Sequence, residues 1–324
     1  MLRTTRRAAL SAPFLLAPFA AARAQPAWPA RSVVLVVPWA PGGSNDLTAR
    51  LLAPHLSERF GQSFVVENRP GGGGAVGMGQ AVRAKPDGYS LLISSASNHV
   101  FNHFVVLDQG YDPREALSAA AMLTDVPNAL AVNTALGVSD VPGLIAKLKA
   151  SPGMGFASSG VGSSNHLAGE LFRMMTGTDI SHVPYRGGGP AISDLVANTV
   201  PMAFLNLPTL LPGVETGKVK LLGVCSGERV PVRPDLPTVA EQGVPNYAVR
   251  SWTGLFAPRG TAPEVLSRLA DASKEILALP AVKARLDEMA SVPIWSGPAD
   301  TDAFVRAEFD KWGPVVKAAG VKPD

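Results

Sequence analysis

The chain has 324 residues, 46% hydrophobic and 17% charged, which is enough for two globular domains of ordinary size with ample core. Its formal net charge is +3, but four arginines (Arg3, Arg6, Arg7, Arg23) lie in an acid-free leader, and removing them leaves −1. That balance excludes nucleic acid as a partner, and a single cysteine, Cys225, excludes an internal disulfide.

Residues 1–24 read as a signal peptide. Arg3, Arg6 and Arg7 form a positive n-region, Ala8–Ala22 is apolar, and Ala22-Arg23-Ala24 is an A-x-A cleavage site before Gln25. The apolar stretch is too short and alanine-rich for a membrane span. Thr5-Arg6-Arg7 with Leu10 suits the twin-arginine route as well as a plain secretory one, and either leads to the periplasm.

After the leader, Ser32–Pro38 is a near-continuous β-branched run, the pattern of a parallel strand buried on both faces. Ser44–Phe60 has helical spacing, with Leu47, Leu51, Leu52 and Leu56 on one side. Ser63–Glu67 reads as a strand, Ala75–Ala84 as a helix and Tyr89–Ser94 as a strand. The alternation restarts with strand Ala129–Asn133, helix Val141–Ala150 and strand Met154–Ala157. Helix Leu167–Thr176, strand His182–Pro184, helix Pro190–Ala197 and strands Met202–Leu205 and Leu221–Val224 follow. From Val249 the chain returns to a strand, Trp252–Ala257, then to helices Pro263–Ala278 and Thr301–Ala319. This order predicts an α/β fold with doubly wound, mostly parallel sheets and right-handed crossovers. A strand followed by helices at the end suits a chain that crosses back. The division is therefore a discontinuous lobe at 25–127 plus 251–324 and a second lobe at 128–250, joined by two crossover strands at a hinge.

One kind of turn occurs twice. Residues 33–52 (VVLVVPWAPGGSNDLTARLL) and 154–172 (MGFASSGVGSSNHLAGELF) each pass from an apolar run through a Gly/Ser-rich turn into a helix. Such a turn aims free backbone N–H groups, and the positive end of a helix dipole, at one spot. Neither holds a P-loop lysine or a catalytic acid pair, so binding an anion is favoured over chemistry. Asp46 and Glu170 read as first-turn acids.

Other motifs have weaker claims. Gly72-Gly73-Gly74-Ala75-Val76-Gly77 satisfies G-x-G-x-x-G, but it lies in a glycine run on the second strand–helix turn, and an exported protein has little access to NAD. A tight structural turn and no cofactor is the reading taken. His99 and His103, spaced i, i+4, lack further ligands for a metal, and Ser97, Asn98 and His99 suit a pocket edge or helix cap better. Ser163 or Ser164 with His166 could be arranged as a hydrolytic pair, though no G-x-S-x-G elbow is present and helix capping is the simpler reading. Arg186, in Tyr185-Arg186-Gly187-Gly188-Gly189-Pro190, is equally suited to a ligand carboxylate or an ion pair. Cys225, in KLLGVCSGER, reads as a small buried residue.

These segments carry a family resemblance. PWAPGGSNDLTARLLA (38–53), VVENRPGGGG (65–74), PDGYSLL (86–92), FASSGVGSSNHLAGELF (156–172), HVPYRGGGPAISDL (182–195), LPTVAEQGVP (236–245) and SWTGLFAPRGTAP (251–263) resemble the Bug (Bordetella uptake gene) family. These are extracytoplasmic substrate-binding proteins of tripartite tricarboxylate transporters. The resemblance implies a type II, two-lobed Venus-flytrap binding protein that hands a small carboxylate to membrane permease subunits and acts as a monomer without enzymatic activity. In such proteins the first turn grips a carboxylate through backbone N–H groups and ordered waters, and the second supplies hydroxyl and amide donors. Carried over by position, the first site holds Trp39, Ala40, Gly42, Gly43, Ser44 and Asn45. The second holds Ser158, Gly162, Ser163, Ser164 and His166, with Tyr185 and Asn206 completing the wall. Where the family commonly has an Asp, this chain has Leu205, which would favour a simple or aromatic carboxylate over an amino acid. The alternatives are an exported serine hydrolase and a protein that presents ligand to a membrane sensor.

Overall fold

The computed structural model describes residues 28–105, 109–185 and 187–320, so the leader and Arg186 lie outside the described residues. In chain order the first elements are β1 (Val33–Val37), α1 (Ser44–Phe60), β2 (Phe64–Asn68), α2 (Ala75–Val82) and β3 (Ser90–Ser95). A π-helical turn (Ser97–Phe101), α3 (Asn102–Val105), α4 (Pro113–Ala116) and β4 (Leu117–Asp125) complete this stretch. Then come β5 (Asn128–Asn133), α5 (Val141–Ala150), β6 (Met154–Ser158), α6 (Ser164–Thr176), β7 (Ile180–Pro184), α7 (Gly188–Val196), β8 (Met202–Asn206), α8 (Leu207–Glu215) and β9 (Val219–Val224). The chain closes with β10 (Trp252–Pro258), α9 (Pro263–Ala278), α10 (Pro280–Glu288), β11 (Val292–Ser296) and α11 (Pro298–Ala319).

These strands form two sheets, ordered β11-β4-β10-β3-β1-β2 and β7-β6-β8-β5-β9. In the first, β1 pairs in parallel with β2 and β3, while β10 is inserted antiparallel between β3 and β4. In the second, β6 pairs in parallel with β7 and β8, and β5 lies antiparallel between β8 and β9. Most strands in each sheet therefore share one direction, as the sequence implies; β10 and β11 are reversed in the first sheet and β5 in the second, and β5 and β10 each adjoin a crossover. The chain leaves the first sheet through Val126-Pro127 and returns to it after residues 225–251.

Burial explains the strands. Val33, Leu35, Val36 and Val37 of β1 are fully buried, because helices cover both faces of the sheet. Along β8 the side chains alternate: Met202 and Phe204 join the cluster containing Leu167, Leu171 and Phe172 of α6. Ala203 and Leu205 join the opposite cluster with Leu195 of α7 and Leu210 of α8. Leu205 is thus a core residue at 0% exposure, which corrects the expectation that it shapes the ligand-facing wall. The end of α1 shows ordinary helix-stop chemistry: Gly61, at φ 66°, closes the last turn with its N–H on the Ser57 carbonyl.

A directional fold of this kind gathers chemistry at one edge. The carboxyl ends of β1, β3 and β4 carry Trp39, Ser95, Ser97, Thr124 and Asp125. Those of β6, β7 and β8 carry Ser158, Tyr185 and Asn206. Open α/β sheets bind ligands outside the carboxyl ends of their strands. Ser95, Thr124, Asp125, Asn128, Ser158, Ser164 and Asn165 are all buried polar residues at these ends. They meet where the two sheets face each other beside the crossovers.

Candidate functional site

The two turns have the same backbone. Gly42 (φ +86°) and Gly162 (φ +73°) are both left-handed, a conformation that favours glycine. The next residues, Gly43 (φ −74°, ψ 165°) and Ser163 (φ −75°, ψ 157°), are the N-caps of α1 and α6. In both turns the left-handed glycine gives its N–H to the side chain four residues on. Gly42 donates to Asp46 Oδ2 at 2.8 Å, and Gly162 donates to His166 Nδ1 at 3.2 Å.

Their capping differs. No side chain caps α1 at Gly43, and its first helical bond is Leu47 N–H to the Gly43 carbonyl at 2.9 Å. The N–H groups of Ser44, Asn45 and Asp46 therefore have no acceptor within the helix, and they stand at the positive end of its dipole. Residues 40–43 are exposed, while Trp39 and Ser44 are half-buried. In the second turn, Ser163 Oγ accepts the His166 N–H at 3.1 Å and donates to the Gly160 carbonyl at 2.7 Å. The Ser164 N–H donates to Ser97 Oγ at 3.2 Å, across from the other sheet's side. Of the first three α6 amides, only Asn165 lacks an acceptor among these bonds.

The electrostatics of the turns also differ. Burial alone would raise the pKa of Asp46, but bonds from Arg50, the Gly42 N–H and Asn68 outweigh it and hold the carboxyl below its usual range. Arg50 Nε reaches both Asp46 oxygens at 3.0 Å, and Asn68 Nδ2 reaches Oδ1 at 2.9 Å. The second turn carries histidines instead. His166 and His182 stack at 3.7 Å with ring planes 12° apart. Burial lowers His166 to about 4 and His182 to about 3, so both rings are neutral at physiological pH. An anion here would be held by neutral N–H and O–H donors, with no cation in the turn.

The remaining expected residues have partners of their own. Asn68 Nδ2 also donates to the Trp39 carbonyl at 3.0 Å. Ser158 Oγ, fully buried, lies 2.6 Å from His182 Nε2. Tyr185 Oη donates to Asp194 Oδ2 at 2.6 Å. Asn206 Nδ2 donates to Asn128 Oδ1 at 3.1 Å, where Asn165 Nδ2 also arrives at 3.0 Å. Asn128 Nδ2 is fully buried and makes no hydrogen bond of its own. Asn45, 4% exposed, matches Asn165 by position and turns inward in the same way, its Oδ1 accepting from Thr253 Oγ1 at 3.3 Å.

Sequence reading overlooked Asn128, Asn165 and Thr253. The repeated S-N of GGSND and GSSNH was the available sign for Asn165, whereas Asn128 and Thr253 stand in plain apolar strands and gave none. The Ser163–His166 pair expected of a hydrolase is not formed. His166 Nδ1 is taken by the Gly162 N–H, and the Ser163 hydroxyl points to the Gly160 carbonyl. His99 and His103 diverge: His99 packs 4.3 Å from Phe256 and bonds Ser94 Oγ, while His103 packs 5.2 Å from Phe309. Among the described residues no group of three His, Cys, Asp or Glu could hold a metal. Cys225 is buried, and burial pushes its thiol up to about 12.

Comparison with known proteins gives a consistent result. A family model described as "Tripartite tricarboxylate transporter family receptor" matches residues 48–321. Protein BugT of Bordetella pertussis is 36% identical over 297 residues, covering 91% of both chains. A solved R. palustris protein with adipate is 38% identical with a TM-score of 0.84, and covers 92% of this chain and 100% of its own. MatC from Rhodopseudomonas palustris, with bound malate, is 30% identical with a TM-score of 0.80, covering 89% and 100%.

Proposed function

The chain belongs to the tripartite tricarboxylate transporter receptor family, and on that premise we propose that it captures a small carboxylate between its lobes in the periplasm and delivers it to the membrane subunits of such a transporter. Lobes at 25–127 plus 251–324 and at 128–250 would close on the ligand about the two crossovers, and the protein would act as a monomer and without catalysis. The observation that carries this reading is the uncapped N-terminus of α1, matched by a second turn of the same backbone in which the Asn165 N–H is likewise left without an acceptor. One carboxylate would take the N–H groups of Ser44, Asn45 and Asp46 beside Trp39, Ala40, Gly42 and Gly43. The rest of the ligand would face Ser158, Gly162, Ser163, Ser164, His166, Tyr185 and Asn206. The adipate and malate of the solved relatives support a carboxylate as the ligand class.

The energetics permit it without a fixed cation. A hydrogen bond to a charged group contributes about 1.5–3 kcal/mol net. Four or five such bonds exceed the cost of association and reach roughly micromolar affinity or better. The test is a thermal-shift and calorimetric screen of mono-, di- and tricarboxylates on the mature protein. Saturable one-site binding is expected for at least one of them, and a flat response across the panel overturns the proposal.

A further inference from the structure

The glycine run before α2 matches a dinucleotide pattern, yet its faces are filled by protein. A Cβ on Gly77 would come within 2.7 Å of Pro38 Cα and 2.8 Å of the Arg69 carbonyl oxygen. A Cβ on Gly74 would come within 2.8 Å of Asn98 Cβ, and the Gly73 carbonyl accepts from Asn102 Nδ2 at 2.5 Å. The run is therefore a bed pressed between Pro38, which leads into the first turn, and the segment Ser97–Asn102.

That segment also meets the second turn. Ser97 Oγ accepts the Ser164 N–H at 3.2 Å. A Cβ on Gly162 would lie 2.9 Å from Asn102 Oδ1, so the left-handed glycine lets the turn come that close. The segment is held from below as well. Asn98 Oδ1 accepts from the Ser95 N–H (2.9 Å) and Ser95 Oγ (2.7 Å), and Asn98 Nδ2 donates to Ser94 Oγ at 2.8 Å. Its opening turn is π-helical, a rare geometry often kept at functional sites. The physical chain thus runs from Pro38 through Gly74 and Gly77 to Asn98 and Asn102, and on to Gly162 and Ser164.

We propose that Ser97–Asn102 is a latch between the two turns, with Ser97 as a positioning residue that fixes the α6 N-terminus when the lobes meet. Ser97 satisfies an α6 amide that would otherwise need water or ligand, and it aims the neighbouring Asn165 N–H into the cleft. The Ser97–Ser164 bond exists only while the two sides are together, so it favours closure independently of which ligand is bound.

The experiment uses fluorophores on Glu58→Cys of α1 and Lys149→Cys of α5, both exposed, with the buried Cys225 left in place. Distance distributions between the dyes are recorded without ligand, and adipate is then titrated. In Ser97→Ala the ligand-free distribution should move away from the closed distance, and the adipate Kd should rise about three- to tenfold through faster dissociation. Ser97→Thr, which keeps the hydroxyl, should restore both, and Gly162→Ala should act like Ser97→Ala. An unchanged distribution and Kd in Ser97→Ala overturn the latch. So does a variant whose unfolding midpoint falls while its distance distribution stays as in wild type, since that assigns Ser97 to folding alone. The affinity arm rests on the carboxylate reading. If wild type binds no carboxylate that reading fails, and the ligand-free distances still decide the latch.

Discussion

Installing a side-chain cap on α1 tests the first turn directly. Gly43 and Ser163 hold the same N-cap backbone within a few degrees, so Gly43 can accept a side chain without strain. A Cβ there would meet only the Ala40 carbonyl oxygen, at 3.6 Å, which is ordinary contact. Gly43→Ser should place a hydroxyl on the Asp46 N–H, as Ser163 does on His166. The cap adds a few tenths of a kcal/mol over glycine. Loss of glycine freedom in the unfolded chain adds about 0.4–1 kcal/mol. The ligand-free protein should therefore gain about 1 kcal/mol in urea denaturation. Binding should move the other way. Withdrawing one amide from a carboxylate removes about 1.5–3 kcal/mol, or a roughly 10- to 150-fold rise in Kd. Gly43→Asp, which adds a carboxylate where the ligand's would sit, should abolish the heat of binding. Calorimetry with adipate and malate, beside urea melts, reads both effects. Opposite signs cannot come from general misfolding. If either variant binds as tightly as wild type, the α1 N-terminus is not an anion jaw.

Acid should destabilise the fold before its carboxylates are fully protonated. Burial lowers His99 and His182 to about 3 and His166 to about 4. The unfolded chain takes up these protons near pH 6.5, and the folded one does not. Stability is thus whole above pH 6.5 and falls as pH drops towards 4, by on the order of 2 kcal/mol per histidine at pH 5. Asp125, raised by burial to about 6, opposes this by taking up a proton early in the folded state. Urea midpoints that do not fall between pH 7 and 5 would refute this balance. Gly169→Ala inside α6 should cost about 1–3 kcal/mol despite alanine's better helix propensity, because its Cβ would fall 2.2 Å from Phe156 Cε2. A neutral or stabilised variant in the same melts would contradict that packing. Cys225 should stay silent to a thiol reagent in the native protein and react fully after denaturation; prompt native labelling would place it at the surface.

Helix spacing and β-branched runs were legible: Ser44–Phe60, Val141–Ala150 and Pro263–Ala278 are helices with the bounds the sequence implies. The misses have physical causes. β4, Leu117–Asp125, is buried at all nine positions and rich in alanine, so it shows neither alternation nor β-branched bias. α8 carries Pro208 in its first turn and Pro212 inside, which reads as a break although the helix continues through both. β11 and α10 contain Pro293 and Pro280 and were hidden in the same way.

The site was legible only as far as neighbours in sequence reach. The turns announce themselves, because glycine, serine and the helix start are adjacent in the chain. Their partners do not. Ser97 is 67 residues from Ser164, and Asn45 is 208 from Thr253, and only the folded sheets bring them together. The two turns share a backbone, and the cap residue, glycine in GGSND against serine in GSSNH, sets their amides apart. Gly43 leaves α1 uncapped, whereas Ser163 spends its oxygen on α6. On the proposed reading a single hydroxyl divides the labour: one jaw would offer bare amides to an anion, and the other, already capped and bonded to Ser97, would be held in position to meet it.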